Sequence, residues 1–169
     1  MKNKRMAVDA MIAATYTVLS LVLTAFSFGP IQVRVAEVLC ILCIYKKEYI
    51  GPITLGCALT NFIGVIMGAD IIGFLDVIFR TLATYLSVVM MYKFRDIKCF
   101  NRPLLSYMMP VIFNGLIVGA MLSYVIMPDN FIYGLLLNGF YVAIGEFISV
   151  VVLGILLEKT IAKLVDIIG

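Results

Sequence analysis

The chain consists of apolar runs about as long as a bilayer is thick, separated by short polar punctuation. A helix needs ~20 mostly apolar residues to cross the hydrocarbon core. The runs cover residues 6–26, 33–45, 49–67, 71–92, 104–127 and 131–157. They predict an all-α, polytopic membrane protein, a single transmembrane domain over residues 1–169 with six helices. Six spans use nearly the whole length and leave no room for a separate soluble domain, so function has to sit inside the bundle or on its faces. Hydrophobic residues make up 63% of the chain and charged residues 14%. A soluble domain has about half and a quarter, and the mean hydropathy is +1.11.

The first run is too long for a signal-peptide core, and no small-residue cleavage site follows it, so it reads as span one. A Gly29-Pro30 turn leads into the run 33–45, which is short for a full span and needs protein around its ends. Pro52 falls in the first turn of the third run, where proline is tolerated, and Pro110 predicts a kink in the fifth. From Glu158 onward the chain is amphipathic. Orientation follows from Lys and Arg. With the amino terminus in the cytoplasm, six spans place Lys2, Lys4, Arg5, Lys46, Lys47, Lys93, Arg95, Lys98, Arg102, Lys159 and Lys163 inside, eleven of the thirteen basic residues. The outer loops carry Asp70 and Asp129 and no Lys. Both termini are expected on the cytoplasmic side of the cell membrane.

Several chemistries are disfavoured. The chain has no His, which removes the commonest general base and metal ligand. Cys40 and Cys43 form a C-x-x-C inside the apolar run Val38–Ile44, and no second Cys pair completes a zinc site. They read as small packing residues. Lys159-Thr160 lacks the glycines of a phosphate-binding Walker A loop. No catalytic residue, metal or cofactor is expected, and no nucleic-acid partner.

Arg34 and Arg80 escape the inside rule, and they carry the interest. Arg34 precedes Glu37 by three residues, Asp76 precedes Arg80 by four, and Glu146 lies in the last span with no opposite charge within a turn. Charges at such depth cost at least a few kcal/mol unless paired or hydrated. Each pair alone reads equally well as mutual neutralisation or as part of a site. Several ionisable groups in one small bundle favour a binding cavity. Asn61, Asn114 and Asn138 add amides, with Gln32 and Tyr141 nearby. At a rise of ~1.5 Å per residue, Asp76 lies ~8–9 Å below the outer end of its span and Glu146 ~20 Å down. Arg34 is expected at the outer rim, a geometry suited to capture from outside. Small residues form a second pattern. Gly64-x-x-x-Gly68 and Gly115-x-x-x-Gly119 read as packing faces within the bundle. Ala7, Ala10 and Ala14 share one face of span one, readable as packing or as a surface for a partner subunit.

The segment from Ser27-Phe28-Gly29-Pro30-Ile31-Gln32 through Val33-Arg34-Val35-Ala36-Glu37-Val38-Leu39 resembles the signature of the QueT family. Gly73-x-x-Asp76 to Leu82-Ala83-Thr84, Asn114-Gly115 and Gly145-Glu146 resemble it too, and the likeness covers nearly the whole chain. Proteins of that family are described as queuosine-precursor transporters, the substrate-binding S components of energy-coupling factor (ECF) transporters. The resemblance implies a six-helix S-component fold and a small-molecule substrate of 7-deazaguanine type, such as queuine or its aminomethyl precursor. It implies docking on a transmembrane T subunit that carries two ATPase subunits. Ala10-x-x-x-Ala14 resembles the A-x-x-x-A docking motif of S components, although Met11 and Ile12 interrupt the fuller small-residue run of some members.

Within that frame a guanine-like edge offers adjacent N–H donors to a carboxylate, for which Glu146 and Glu37 are the candidates. Asp76 would pair an aminomethyl ammonium. Asn61, Asn114 or Asn138 would meet the carbonyl and ring nitrogens, and Phe28 and Tyr141 would stack on the flat ring. Gln32, Arg34 and Arg80 complete the candidate pocket. The competing readings are an S component for another vitamin such as riboflavin, a stand-alone ion-coupled carrier, a membrane-embedded enzyme and a purely structural subunit.

Overall fold

The computed structural model describes residues 2–23, 33–69 and 72–168. Among them the chain is helical, with no strand beyond an isolated bridge between Cys99 and Arg102. The helices are α1 (Lys2–Val22), α2 (Val35–Tyr45), α3 (Ile50–Ile66), α4 (Phe74–Lys93), α5 (Leu104–Ile126) and α6 (Pro128–Ile168). The five other than α2 are long and apolar enough to cross a membrane, when α3 is taken with the 3-10 turn Lys47–Tyr49 before it. The all-α polytopic architecture expected from the apolar runs is the one observed.

Helix α2 is the exception, and the bundle is built around it. It winds as a 3-10 helix over Val35–Ile41 and as an α-helix over Leu42–Tyr45. Too short to cross a membrane, it is sheltered by protein, with residues from Ala36 to Ile44 buried apart from Leu39. It touches α1, α3, α4 and α6. The long helices pack in sequence, α3 on α4, α4 on α5 and α5 on α6, with α1 laid on α3. Their outer faces are apolar and exposed, as at Ile78 and Leu82 of α4, Leu116 of α5, and Leu136 and Phe140 of α6. Such a surface is stable against lipid and unfavourable against water.

Helix α6 runs past the expected end of span six at Leu157 and continues to Ile168. It contains an α-helical stretch Phe131–Glu146, a π-helical stretch Phe147–Val152 and a second α-helical stretch Leu153–Ile168. The π stretch lies against the 3-10 part of α2. Gly154 allows the close approach: a Cβ there would collide with the Ile41 side chain of α2. Arg102 in the loop before α5 pairs with Glu158 at 3.5 Å. That contact fastens the basic loop to the far half of α6.

The two glycine pairs have different roles. A Cβ on Gly119 would sit 2.5 Å from the Gly139 Cα, and one on Gly115 would sit 3.3 Å from the Ala143 Cβ. Gly115-x-x-x-Gly119 is therefore a packing face of α5 against α6. Gly64-x-x-x-Gly68 is not such a face. Gly68 has a φ of 69° with open space where its Cβ would be. Its N–H donates to Val65 O at 3.1 Å, and the Ala69 N–H donates to Gly64 O at 2.9 Å. This pair of bonds ends helix α3 and requires a left-handed residue, which glycine supplies without steric cost. The four-residue spacing there is a coincidence of a packing glycine and a capping one.

Replacing Gly119 by Ala forces a methyl onto the α6 backbone, and overpacking of this kind costs ~1–3 kcal/mol. Gly51→Ala meets nothing within 4 Å and is expected to leave stability unchanged or slightly raised. Thermal unfolding of the two variants in detergent distinguishes them. Equal stability would mean that α5 and α6 do not approach through Gly119.

Candidate functional site

The three-residue period of a 3-10 helix puts residues i and i+3 above one another. Along α2 and the residue before it, that period lines up Arg34, Glu37 and Cys40. Glu37 is the centre of the row and is fully buried. Its Oε1 accepts from the Tyr16 hydroxyl at 2.5 Å and from the Thr84 hydroxyl at 3.4 Å. Its Oε2 accepts from the Cys40 thiol at 2.9 Å. The Arg34 Nη1 stands 4.0 Å from Oε1. Four side chains from α1, α2, α4 and the residue preceding α2 thus converge on one carboxylate.

The other half of Arg34 belongs to α3. Its Nη2 donates to Asn61 Oδ1 at 2.9 Å, while Asn61 Nδ2 donates back to Cys57 O at 2.9 Å. The Cys57 thiol lies 3.3 Å from Thr84 Oγ1 and closes a loop of contacts between α3 and α4. Arg34 was expected at the outer rim. Its side chain is buried, with 2% of its surface exposed, and the Gly29-Pro30 turn before it lies outside the described residues.

On α4 the spacing Asp76, Arg80, Thr84 follows a single helical face, and all three are buried. The Arg80 Nε donates to Asp76 Oδ2. Glu146, at the end of the first α-helical stretch of α6, is 2% exposed. It lies within electrostatic reach of Glu37, Arg34 and Arg80. The depth separation expected along the helices is therefore bridged in space, since α2 descends to meet α6 at the level of Glu146.

Buried side-chain atoms without a hydrogen-bond partner include Arg34 Nε, Asp76 Oδ1 and Glu146 Oε2, together with Asn114 Nδ2 on α5 and the hydroxyls of Thr81 and Ser149. Among the ionisable and amide groups, two of these atoms are donors and two are acceptors. A buried polar group left this way costs about 1–3 kcal/mol, more when charged. Each such group calls for an explanation, of which a bound molecule or an ordered water is one.

Not every expected residue joins the cluster. Asn138 uses its Nδ2 on Ser123 Oγ at 3.3 Å, between α6 and α5. Tyr141 is 38% exposed beside Phe140, with which it makes a tilted ring contact. Phe28 and Gln32 lie outside the described residues. Ala7, Ala10 and Ala14 are exposed on α1, opposite Ile12, Ala13 and Tyr16, which face the bundle. Tyr16, Cys40, Cys57 and Thr84 were not expected in the site. Cys40, read from the sequence with Cys43 as a packing residue, uses its thiol on Glu37, Cys57 lies against Thr84, and all four cysteines are free. Among the described residues no group of side chains is arranged to hold a metal ion.

The comparisons with known proteins follow from this geometry. A sequence model described as the QueT transporter matches residues 6–163. The chain is similar to a protein of Lactococcus lactis subsp. cremoris (strain MG1363) named queuosine precursor transporter QueT, at 43% identity over 56 residues. That stretch is 32% of this chain and 33% of the relative, so about a third of each protein is matched. No solved structure matches.

Removing one donor from Glu37 tests the cluster directly. A hydrogen bond to a charged group is worth about 1.5–3 kcal/mol, so Tyr16→Phe is expected to destabilise the detergent-solubilised protein by that amount. In a double-mutant cycle with Glu37→Gln the two effects should be non-additive by at least ~0.5 kcal/mol. Simple additivity would show that Tyr16 and Glu37 do not interact.

Proposed function

The chain belongs to the QueT transporter family, and on that premise we propose that it is the substrate-binding S component of an ECF-type importer for a 7-deazaguanine. The observation that carries this reading is the set of unpartnered atoms on Arg34, Asp76, Asn114 and Glu146. A deazaguanine offers N–H donors, a carbonyl and ring nitrogens in one plane, and two donors with two acceptors complement it. The Glu37, Asn61, Thr84 and Cys57 side chains are occupied by one another and by Arg34, which holds that part of the cluster in fixed directions before a ligand arrives.

In this reading the chain performs no covalent chemistry. It captures substrate from outside and reorients on a T subunit, and ATP turnover by two ATPase subunits resets the cycle. The exposed small face of Ala7, Ala10 and Ala14 is the docking surface, because small side chains let a partner helix approach closely. The basic loop 93–103 and the end of α6 lie together through Arg102 and Glu158. That proximity agrees with the distribution of Lys and Arg, which puts both ends of the chain and this loop in the cytoplasm.

Thermal unfolding with and without queuine, its aminomethyl and cyano relatives, and riboflavin tests the substrate class. At 100 times the dissociation constant a bound ligand stabilises by about 2.7 kcal/mol. Stabilisation by the deazaguanines alone supports the reading, and stabilisation by riboflavin alone overturns it. Ala10→Trp tests the docking face: binding should persist while uptake in cells carrying the T and ATPase subunits is lost. Uptake that survives without those subunits and collapses with the proton gradient would instead identify an ion-coupled carrier.

A further inference from the structure

The turn between α4 and α5 presents an aromatic ring to the surroundings. Phe100 is 93% exposed, and nearby Ile97 is 48% exposed. Phe100 and Asn101 both have left-handed backbone, with φ of 53° and 61°. The Cys99 N–H donates to Arg102 O at 2.8 Å, and the Arg102 N–H donates to Cys99 O at 3.1 Å. These bonds close a two-residue turn of the kind that Asn and Gly make readily and a bulky residue makes at a cost. A glycine at position 100 would relieve the backbone and lose only the ring. A lone exposed Phe is ordinary on a protein surface; one kept on a left-handed backbone is not, and it points to a use for the ring.

The turn is held from both sides. The Arg95 Nη1 donates to Tyr92 O at 2.8 Å, and its guanidinium stacks on the Tyr92 ring at 3.9 Å. Arg102 pairs with Glu158 of α6 at 3.5 Å. Residues 93–103 carry Lys93, Arg95, Lys98 and Arg102 against one acid, Asp96, and Lys93 and Lys98 are exposed. Helices α4 and α5 are each long and apolar enough to cross a membrane, so the turn that joins them stands at a membrane surface. Phe100 is four residues before Leu104, where α5 begins, a reach of at most ~14 Å of extended chain. The headgroup layer is roughly 5–8 Å deep on each side of the hydrocarbon core. Aromatic rings favour that layer, and Lys and Arg are drawn to acidic headgroups. We propose that the Cys99–Arg102 turn is a membrane-surface anchor. It sets Phe100 among the headgroups of anionic phospholipid, with Lys93 and Lys98 on the phosphates. The anchor follows from the membrane architecture and is independent of which substrate the bundle binds.

The chain has no Trp, so Phe100→Trp in the full chain makes a single reporter at the tip. The variant is reconstituted in vesicles of phosphatidylcholine, with or without phosphatidylglycerol, whose acyl chains carry bromine near the headgroup end. The expected emission lies at shorter wavelength than that of a water-exposed indole. The bromines should quench most of it in the anionic vesicles and less of it in the neutral ones. Lys98→Glu in the same background should lower the quenching in anionic vesicles to the neutral level. Water-like emission that the brominated lipids leave unchanged overturns the proposal. Equal quenching in both kinds of vesicle overturns the part given to the basic residues. Emission that shifts only on adding T and ATPase subunits, or only as the chain is crowded in the vesicle, assigns the tip to a protein contact and overturns the anchor as well. A polarity-sensitive maleimide dye on Cys99, the exposed one of the four cysteines, gives the same decision on the unmodified sequence should Phe100→Trp misfold.

Discussion

A carboxylate at the middle of an apolar bundle has to be surrounded by donors, and the placement of the inner helices follows from how Glu37 meets that demand. Its donors come from α1, α2 and α4, and its nearest cation, Arg34, is in turn held by α3. No one helix supplies enough partners, so the helices have to converge. The 3-10 winding of α2 is part of the same solution. It stacks Arg34, Glu37 and Cys40 in one row, which an α-helix would spread around its circumference. The polar centre and the unusual helix are therefore one feature seen at two scales.

The bundle divides its work between two kinds of contact. On the α5–α6 side, Gly115, Gly119 and Gly139 bring backbones together, and the contact is van der Waals packing. On the α1–α2–α3–α4 side, hydrogen bonds among buried side chains are added to close packing such as that of Gly56 against Ala13 and Tyr16. Such polar contacts are directional, and they set where the side chains of Arg34, Asn61, Asp76 and Glu146 stand. Of the unpartnered atoms, those of Arg34 and Glu146 belong to residues within electrostatic reach of each other, where the polar side meets the last helix.

Much of this was legible beforehand because lipid imposes severe rules. The length of apolar runs set the number and order of helices, and charges inside those runs pointed to Arg34, Glu37, Asp76, Arg80 and Glu146, all of which are buried. What escaped was anything inexpensive to bury. Tyr16, Thr84, Cys40 and Cys57 raise no alarm inside an apolar run, since a hydroxyl or thiol costs little there when it finds a partner. A signal for them existed in spacing. Arg34, Glu37, Cys40 and Cys43 recur every third residue, the period of a 3-10 helix, and Asp76, Arg80 and Thr84 every fourth. The helix-ending role of Gly68 was hidden for a different reason, because backbone hydrogen bonding is invisible in side-chain spacing. Asn138 stands two turns before Glu146 on nearly the same face of α6 but meets Ser123 of α5, and Tyr141 is on an exposed face; periodicity alone does not say which neighbour a helix that is apolar all round will meet at each level.

The π-helical stretch of α6 gives the end of the chain a mechanical character. Beyond it, Leu153–Ile168 is a rod of 16 residues, roughly 24 Å long at the usual helical rise. Its near end packs on the buried α2 through Gly154 and Ile41, and Arg102 pairs with it at Glu158, within its first half. A tilt of roughly 10° at the π stretch would carry the free end through roughly 4 Å, given that length. Helix geometry of this kind would turn a small change of angle beside the polar cluster into a displacement of several ångström at the end of the helix.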